Sequence, residues 1–147
     1  VVSEINGEIV GITKTPKIYF YDTGLLCHLL GIQKEDDLEI HFAKGAIFEN
    51  LVITELKKNT INTTSRSDFY FWRDHTQNEV DLIVEKGLQM DAIEIKSGKT
   101  IHQNFFQGLD FFSTMKSNAN LHLIYGGNEN QERSKYFVST LFNLPKI

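Results

Sequence analysis

The stretch from Glu79 to Lys96 constrains the fold of this chain more than any other. It reads Glu79-Val80-Asp81-Leu82-Ile83-Val84, then a break at Glu85-Lys86-Gly87-Leu88-Gln89, then Ala92-Ile93-Glu94-Ile95-Lys96. In both halves β-branched and other apolar residues alternate with charged ones, the pattern of strands. Successive side chains on a strand point to opposite faces. Val80, Leu82 and Val84 are therefore expected on one face, with Glu79, Asp81 and Ile83 on the other. In the second strand Glu94 and Lys96 share a face, with Ile93 and Ile95 behind them. The glycine in the polar break suits a hairpin turn. Pairing the two strands brings Asp81 beside Glu94 and Lys96, so that two carboxylates and one ammonium meet on one sheet face.

Two readings account for that cluster. In the first, Asp81 and Glu94 hold a divalent metal, with the backbone carbonyl of Ile95 as a further ligand. Mg²⁺ takes hard oxygen ligands, commonly one or two carboxylates completed by water and phosphate. Lys96 would then orient or help deprotonate an attacking water and stabilise developing phosphate charge. In the second, Lys96 makes a cross-strand salt bridge on a solvated sheet, worth little energetically. On spacing alone the second ranks first, because Asp-x(n)-Glu-x-Lys is short and recurs by chance.

The 147 residues suffice for one domain with a real core, and 41% hydrophobic with 23% charged residues is ordinary for a globular protein. A single cysteine, Cys27, excludes an internal disulfide and suits a reducing cytoplasm. Among Leu25, Leu26, Leu29 and Leu30 it reads as a buried thiol rather than a nucleophile. No apolar run reaches membrane-spanning length, and no signal-like segment opens the chain. The chain begins with Val rather than Met, so a longer parent protein is expected. The net charge of −4 runs against a dedicated nucleic-acid surface, which is ordinarily basic. It is compatible with a nuclease whose acids cluster at a metal.

Residues 1–40 read as an N-terminal hairpin and helix, and 41–147 as the main domain. The hairpin pairs Glu8–Ile12 with Lys17–Tyr21 around Lys14-Thr15-Pro16, either as a remnant of a winged helix or as simple packing. Asp22 is placed as N-cap and Gly31 as stop for a first helix whose leucines are expected in the core. Gln33 to Glu39 reads as a polar connection. The second helix, about Ala43 to Asn59, carries Phe48, Leu51, Val52 and Leu56 at helical spacing. Its odd residue is Glu49, on the inward stripe with Val52, Ile53 and Leu56. A buried carboxylate is costly unless paired, hydrogen-bonded or bound to a metal. Glu49 therefore reads as a third acid near Asp81 and Glu94, as a helix-edge carboxylate reaching solvent, or as a partner for Arg73.

A polar loop, a strand at Phe69–Arg73 and a turn at Asp74–Asn78 lead into the central strands. The aromatics Phe69 to Trp72 suit core packing better than base stacking, since no basic patch accompanies them. A helix follows from about His102 to Met115, then a strand at Leu121–Tyr125 and a short strand around Phe137-Val138. Ser97-Gly98-Lys99-Thr100 imitates the end of a phosphate-binding loop, but Ile93 stands where that motif needs its first glycine. The five histidines show no zinc-ligand spacing.

In this order, the helix with Glu49, then Asp81, then Glu94-Ile95-Lys96 resembles the core of the PD-(D/E)xK, or restriction-endonuclease-like, superfamily. Four segments resemble, more specifically, the C-terminal domain of unknown function in a large family of prokaryotic AAA+ ATPases. They are the run from Pro16 to Leu25, Gly45-Ala46-Ile47-Phe48-Glu49-Asn50, Phe71-Trp72-Arg73 with Glu79-Val80-Asp81, and Ile93-Glu94-Ile95-Lys96-Ser97. The resemblance covers about Lys14 to Tyr125. It implies an α/β fold with a central mixed sheet flanked by helices. Glu49, Asp81 and Glu94 would bind Mg²⁺ or Mn²⁺, and Lys96 would be the catalytic lysine. It implies an ATPase module upstream in the same polypeptide, a DNA or RNA substrate, no membrane, and room for a homo-oligomer. Gln103 and Gln107 stand where some nuclease relatives carry a polar helper. A catalytically inactive nuclease-like module that recognises nucleic acid or protein, or a structural cap for ATPase subunits, are the other functions open to such a domain.

Overall fold

The computed structural model describes residues 3–4, 16–61 and 67–147. Among these residues a seven-stranded mixed sheet runs in the order β1-β2-β3-β4-β5-β7-β6. Its strands are β1 (Ser3–Glu4), β2 (Asp68–Arg73), β3 (Glu79–Lys86), β4 (Gln89–Lys96), β5 (Asn120–Tyr125), β6 (Gln131–Arg133) and β7 (Tyr136–Thr140). β2, β3 and β4 form an antiparallel meander; β5 adds in parallel to β4 and β7 in parallel to β5. The β3–β4 turn is the two residues Gly87-Leu88, with Gly87 at φ +61, a conformation that glycine adopts without a Cβ penalty.

Helices cover both faces. On one lies α4 (Gln107–Met115), entered through a 3₁₀ turn at Gln103–Phe106, which carries the parallel crossover from β4 to β5. Its Leu109 and Phe112 pack with Trp72, Val80, Ile83, Leu121 and Leu123. On the other face lies α3 (Lys44–Ile61), whose Val52, Ile53 and Leu56 pack on Leu82, Val84, Ile93, Ile95 and Ile124. Full burial of each such aliphatic side chain is worth roughly 1.5–3 kcal/mol. The aromatics of β2 behave as expected: Phe71 and Trp72 are buried in the core.

The face assignment in β3 needs correction. Tyr70 pairs with Ile83, but Trp72 pairs with Val80, so β3 carries one more residue than β2 between those pairs. This bulge breaks the alternation. Val80 joins Ile83 in the α4 cluster, while Leu82 and Val84 lie in the α3 cluster.

The N-terminal expectations are met in part. The first strand of the expected hairpin, 8–12, lies outside the described residues, as does most of the 62–67 loop. Its second strand does not form a ladder: apart from a single bridge residue at Lys17, residues 16–20 are irregular. The two-residue β1 instead adds in parallel to β2. α1 (Thr23–Leu29) begins where expected, with the Asp22 side chain accepting from the Leu25 amide at 2.9 Å, and Gly31 at φ +76 follows its end. Its leucines are not core: α1 contributes no buried residue, Leu29 is 64% exposed and Cys27 is half-buried. The expected polar connection contains a short helix, α2 (Glu35–Ile40). Among the described residues no helix is long and apolar enough to cross a membrane.

Candidate active site at the fork of β3 and β4

The β3–β4 ladder ends at the pair Leu82–Ile93. Beyond it the Asp81 side chain stands in for the missing backbone partner: its Oδ2 accepts from the Ile95 amide at 2.9 Å. The bulge in β3 is what turns Asp81 to this position. Asp81 and Glu94 are both buried, and the Lys96 ammonium joins them. Lys96 Nζ donates to Glu94 Oε1 and lies 3.8 Å from Asp81 Oδ2. Its side chain remains 35% exposed, so the cluster has an outlet to solvent. The expected trio is therefore assembled, though not on one flat face. Glu94 Oε2 lies against Gly108 of α4, whereas Asp81 Oδ1 looks towards Lys17 and the α3 side.

Gly108 makes the α4 side possible. A Cβ at this position would come within 2.0 Å of the Glu79 carbonyl oxygen and 3.4 Å of Glu94 Oε2. Only glycine lets the helix sit this close to the strand that carries the acids. Among the described residues Glu94 Oε2 has no hydrogen-bond partner, though it is buried. An orphaned carboxylate oxygen costs more than almost any other buried atom unless a cation or proton reaches it.

Glu49 reaches the cluster from α3, but indirectly. Its Oε1 accepts from Tyr19 Oη at 2.6 Å and from Lys17 Nζ at 3.2 Å. Lys17 Nζ also lies 2.5 Å from Glu79 Oε1 and 3.8 Å from Asp81 Oδ1. The lysine thus stands between Glu49 and Asp81. Arg73 pairs with Glu79, not with Glu49. The segment carrying Lys17 is held to α3 by buried Asn50, which accepts from the Phe20 amide at 2.7 Å. Asn50 also donates to the Phe20 carbonyl and to Thr23 Oγ1, each at 2.9 Å.

The electrostatics follow from this crowding. Burial, followed by the charge of Glu49, pushes the Asp81 carboxyl above its ordinary value. Burial, followed by the charge of Asp81, pushes Glu94 up as well. For Lys96, burial opposes the charged form, but Asp81 and Glu94 outweigh it and raise its pKa. Lys17 shows the same balance, with Glu49, Glu79 and Asp81 as the acids that win.

The donor chemistry of Asp81 and Glu94 suits a hard divalent cation, and the orphaned Glu94 oxygen gives such an ion a place to be useful. Glu49 does not complete a cage as it stands. Among the described residues no three His, Cys, Asp or Glu side chains converge closely enough to hold an ion. Ile95 contributes its amide to Asp81. Gln103 and Gln107 are exposed, and Lys99, at the end of the phosphate-loop imitation, is exposed and 3.7 Å from Glu39.

Sequence reasoning missed Lys17, Tyr19 and Gly108 as members of the site. A faint signal existed for the first two: Lys17 and Tyr19 are two apart in an extended run, so both point the same way. Gly108 left no signal, since its role is set by the distance between a helix and a strand.

Residues 44–147 match the family model described as Domain of unknown function (DUF4143). Two uncharacterized proteins, one of Mycobacterium bovis and one of Mycobacterium tuberculosis, are each 37% identical over 87 residues. Those residues make up 59% of this chain but only 19% of either relative, so the chain matches a minor part of them. No solved structure matches.

Proposed function

The chain belongs to the DUF4143 family, and on that footing we propose that it is a nuclease-like domain of restriction-endonuclease type. Its reaction is the divalent-metal-dependent hydrolysis of phosphodiester bonds in DNA or RNA. One observation carries this reading: Lys96 joins two buried acids, Asp81 and Glu94, while Glu94 Oε2 has no partner among the described residues. A buried carboxylate oxygen left in this way is open to a cation.

In this account Asp81 and Glu94 bind Mg²⁺ or Mn²⁺, with Glu49 as the outlying third acid and the Ile95 carbonyl as a further ligand. The bound ion supplies charge for a phosphoryl oxygen and lowers the pKa of a water. Lys96 orients the attacking water and stabilises negative charge developing on phosphate. Its ammonium lies beside both acids, within reach of whatever they hold, which suits these roles. Burial of the acids, with Glu94 against α4, would keep a bound ion's surroundings poorly solvated, where each charge counts for more. The domain would work beside an ATPase module elsewhere in the same polypeptide; the small share of the relatives covered by this chain leaves ample length for one.

A second reading is favoured by Lys17. It and Lys96 already compensate much of the acidic charge, as suits a catalytically inactive nuclease-like module that recognises nucleic acid or protein for the ATPase. Incubating the chain with linear and circular DNA and with RNA, in Mg²⁺ or Mn²⁺, separates the two. Cleavage that vanishes in Lys96→Ala and in EDTA supports the nuclease. Binding without cleavage selects the second reading.

A further inference from the structure

The nuclease reading gives Lys17 no part, yet its ammonium sits among the acids of the cluster. Three carboxylates surround it: Glu49 at 3.2 Å, Glu79 at 2.5 Å and Asp81 at 3.8 Å. These acids arrive from two elements, α3 for Glu49 and β3 for Glu79 and Asp81. The lysine comes from a third part of the chain, the largely irregular segment before α1. Beyond the bridge residue Lys17 itself, the described part of that segment is held by side chains, Tyr19 on Glu49 and Asn50 on Phe20. An ammonium gathered by carboxylates on an irregular segment has the position and charge of a bound cation.

We propose that Lys17 is a resident counter-ion of the site, seated between Glu49 and Asp81 where a divalent cation would engage both acids, and that it gives up this place when the cation binds. This rests on the reading of Asp81 and Glu94 as a cation site. Lys17 thereby sets the cation affinity and limits the ligand set. With Lys17 in place only Asp81 and Glu94 are accessible to an ion; with Lys17 withdrawn, Glu49 joins them. An ion on Asp81 would stand within a few ångströms of the ammonium, a like-charge contact that disfavours joint occupancy. Lys17 and Glu49 also line a cavity of about 330 Å³, but Leu26, Leu30, Ala46 and Ile47 make it mostly apolar, so the displaced ammonium would move out to solvent, to which its side chain is already 22% exposed. The segment before α1, and α1 behind it, would then report whether the site is loaded.

The test is amine labelling of the wild-type chain with an N-hydroxysuccinimide ester, read at each lysine by mass spectrometry as Mn²⁺ is titrated. Lys17 is expected to label slowly in EDTA and several-fold faster in saturating Mn²⁺, while exposed Lys99 does not change. Lys17→Met is expected to bind Mn²⁺ about tenfold more tightly in calorimetry, since one repulsive charge has gone. Unchanged or slower labelling of Lys17 while the wild type binds Mn²⁺ overturns the proposal and leaves the cation site standing. Weaker Mn²⁺ binding by a folded Lys17→Met does the same. Absence of Mn²⁺ binding in both proteins overturns the cation site as well. The labelling arm needs no variant, so it decides the matter even where Lys17→Met does not fold.

Discussion

Asp81 and Glu94 are costly residues in the metal-free protein. Both carboxyls are pushed above the ordinary 3.8 of Asp and 4.5 of Glu, chiefly by burial and then by neighbouring negative charge. A folded state that holds a proton the unfolded chain has released loses stability as pH rises. Their contribution is therefore complete below those ordinary values and lost as pH climbs through the raised ones. Thermal melts in EDTA, stepped from about pH 4 to about pH 8, should show a falling Tm from these groups. Asp81→Asn should flatten that fall, and an unchanged slope would show that the pair does not hold the proton. At the same scale, Asn50 makes three hydrogen bonds to the segment carrying Lys17. Asn50→Ala should cost about 2–3 kcal/mol in urea unfolding, because buried polar partners lose their mates. A loss under about 0.5 kcal/mol would mean the segment is not anchored there.

At the scale of elements, the site depends on two departures from regular structure. The bulge in β3 and the early end of the β3–β4 ladder open the fork that Asp81 fills. α4 closes the fork only because Gly108 carries no side chain. Gly108→Ala would drive a methyl into the Glu79 carbonyl and lift the helix. The expected cost is about 1–3 kcal/mol or more, with impaired cation binding at Glu94. Near-wild-type stability in denaturant unfolding would contradict the packing described.

These departures also mark what the sequence could reveal. The strands, and the meeting of Asp81, Glu94 and Lys96, were legible because period-two alternation and a glycine turn fix pairing locally. The bulge was not legible, since Val80-Asp81-Leu82-Ile83 alternates plausibly with or without it. Glu49 was legible as an anomaly on an apolar helix stripe, but its link to Asp81 runs through Lys17. That contact is made by tertiary docking of an irregular segment, which periodicity does not encode. The leucines of α1 misled for a related reason: clustering in sequence says nothing about whether another element covers them.

Across the whole molecule, the core lies in two layers, one on each side of the sheet, with α1 and α2 outside both. Leu25→Ser with Leu29→Ser should therefore change the stability of this chain by no more than about 0.5 kcal/mol per site, as expected for exposed positions. A large loss would place α1 in the core after all. The acids, lysines and glycine of the site come from α3, β3, β4, α4 and the segment before α1, so the central claim concerns the assembled domain: Asp81 and Glu94 together form a divalent-cation site. Calorimetric titration of Mg²⁺ or Mn²⁺ into the wild type, Asp81→Ala and Glu94→Ala tests it most directly. The account predicts saturable binding by the wild type that is lost in both variants. Wild-type protein that binds neither ion, or variants that bind as the wild type does, would contradict it.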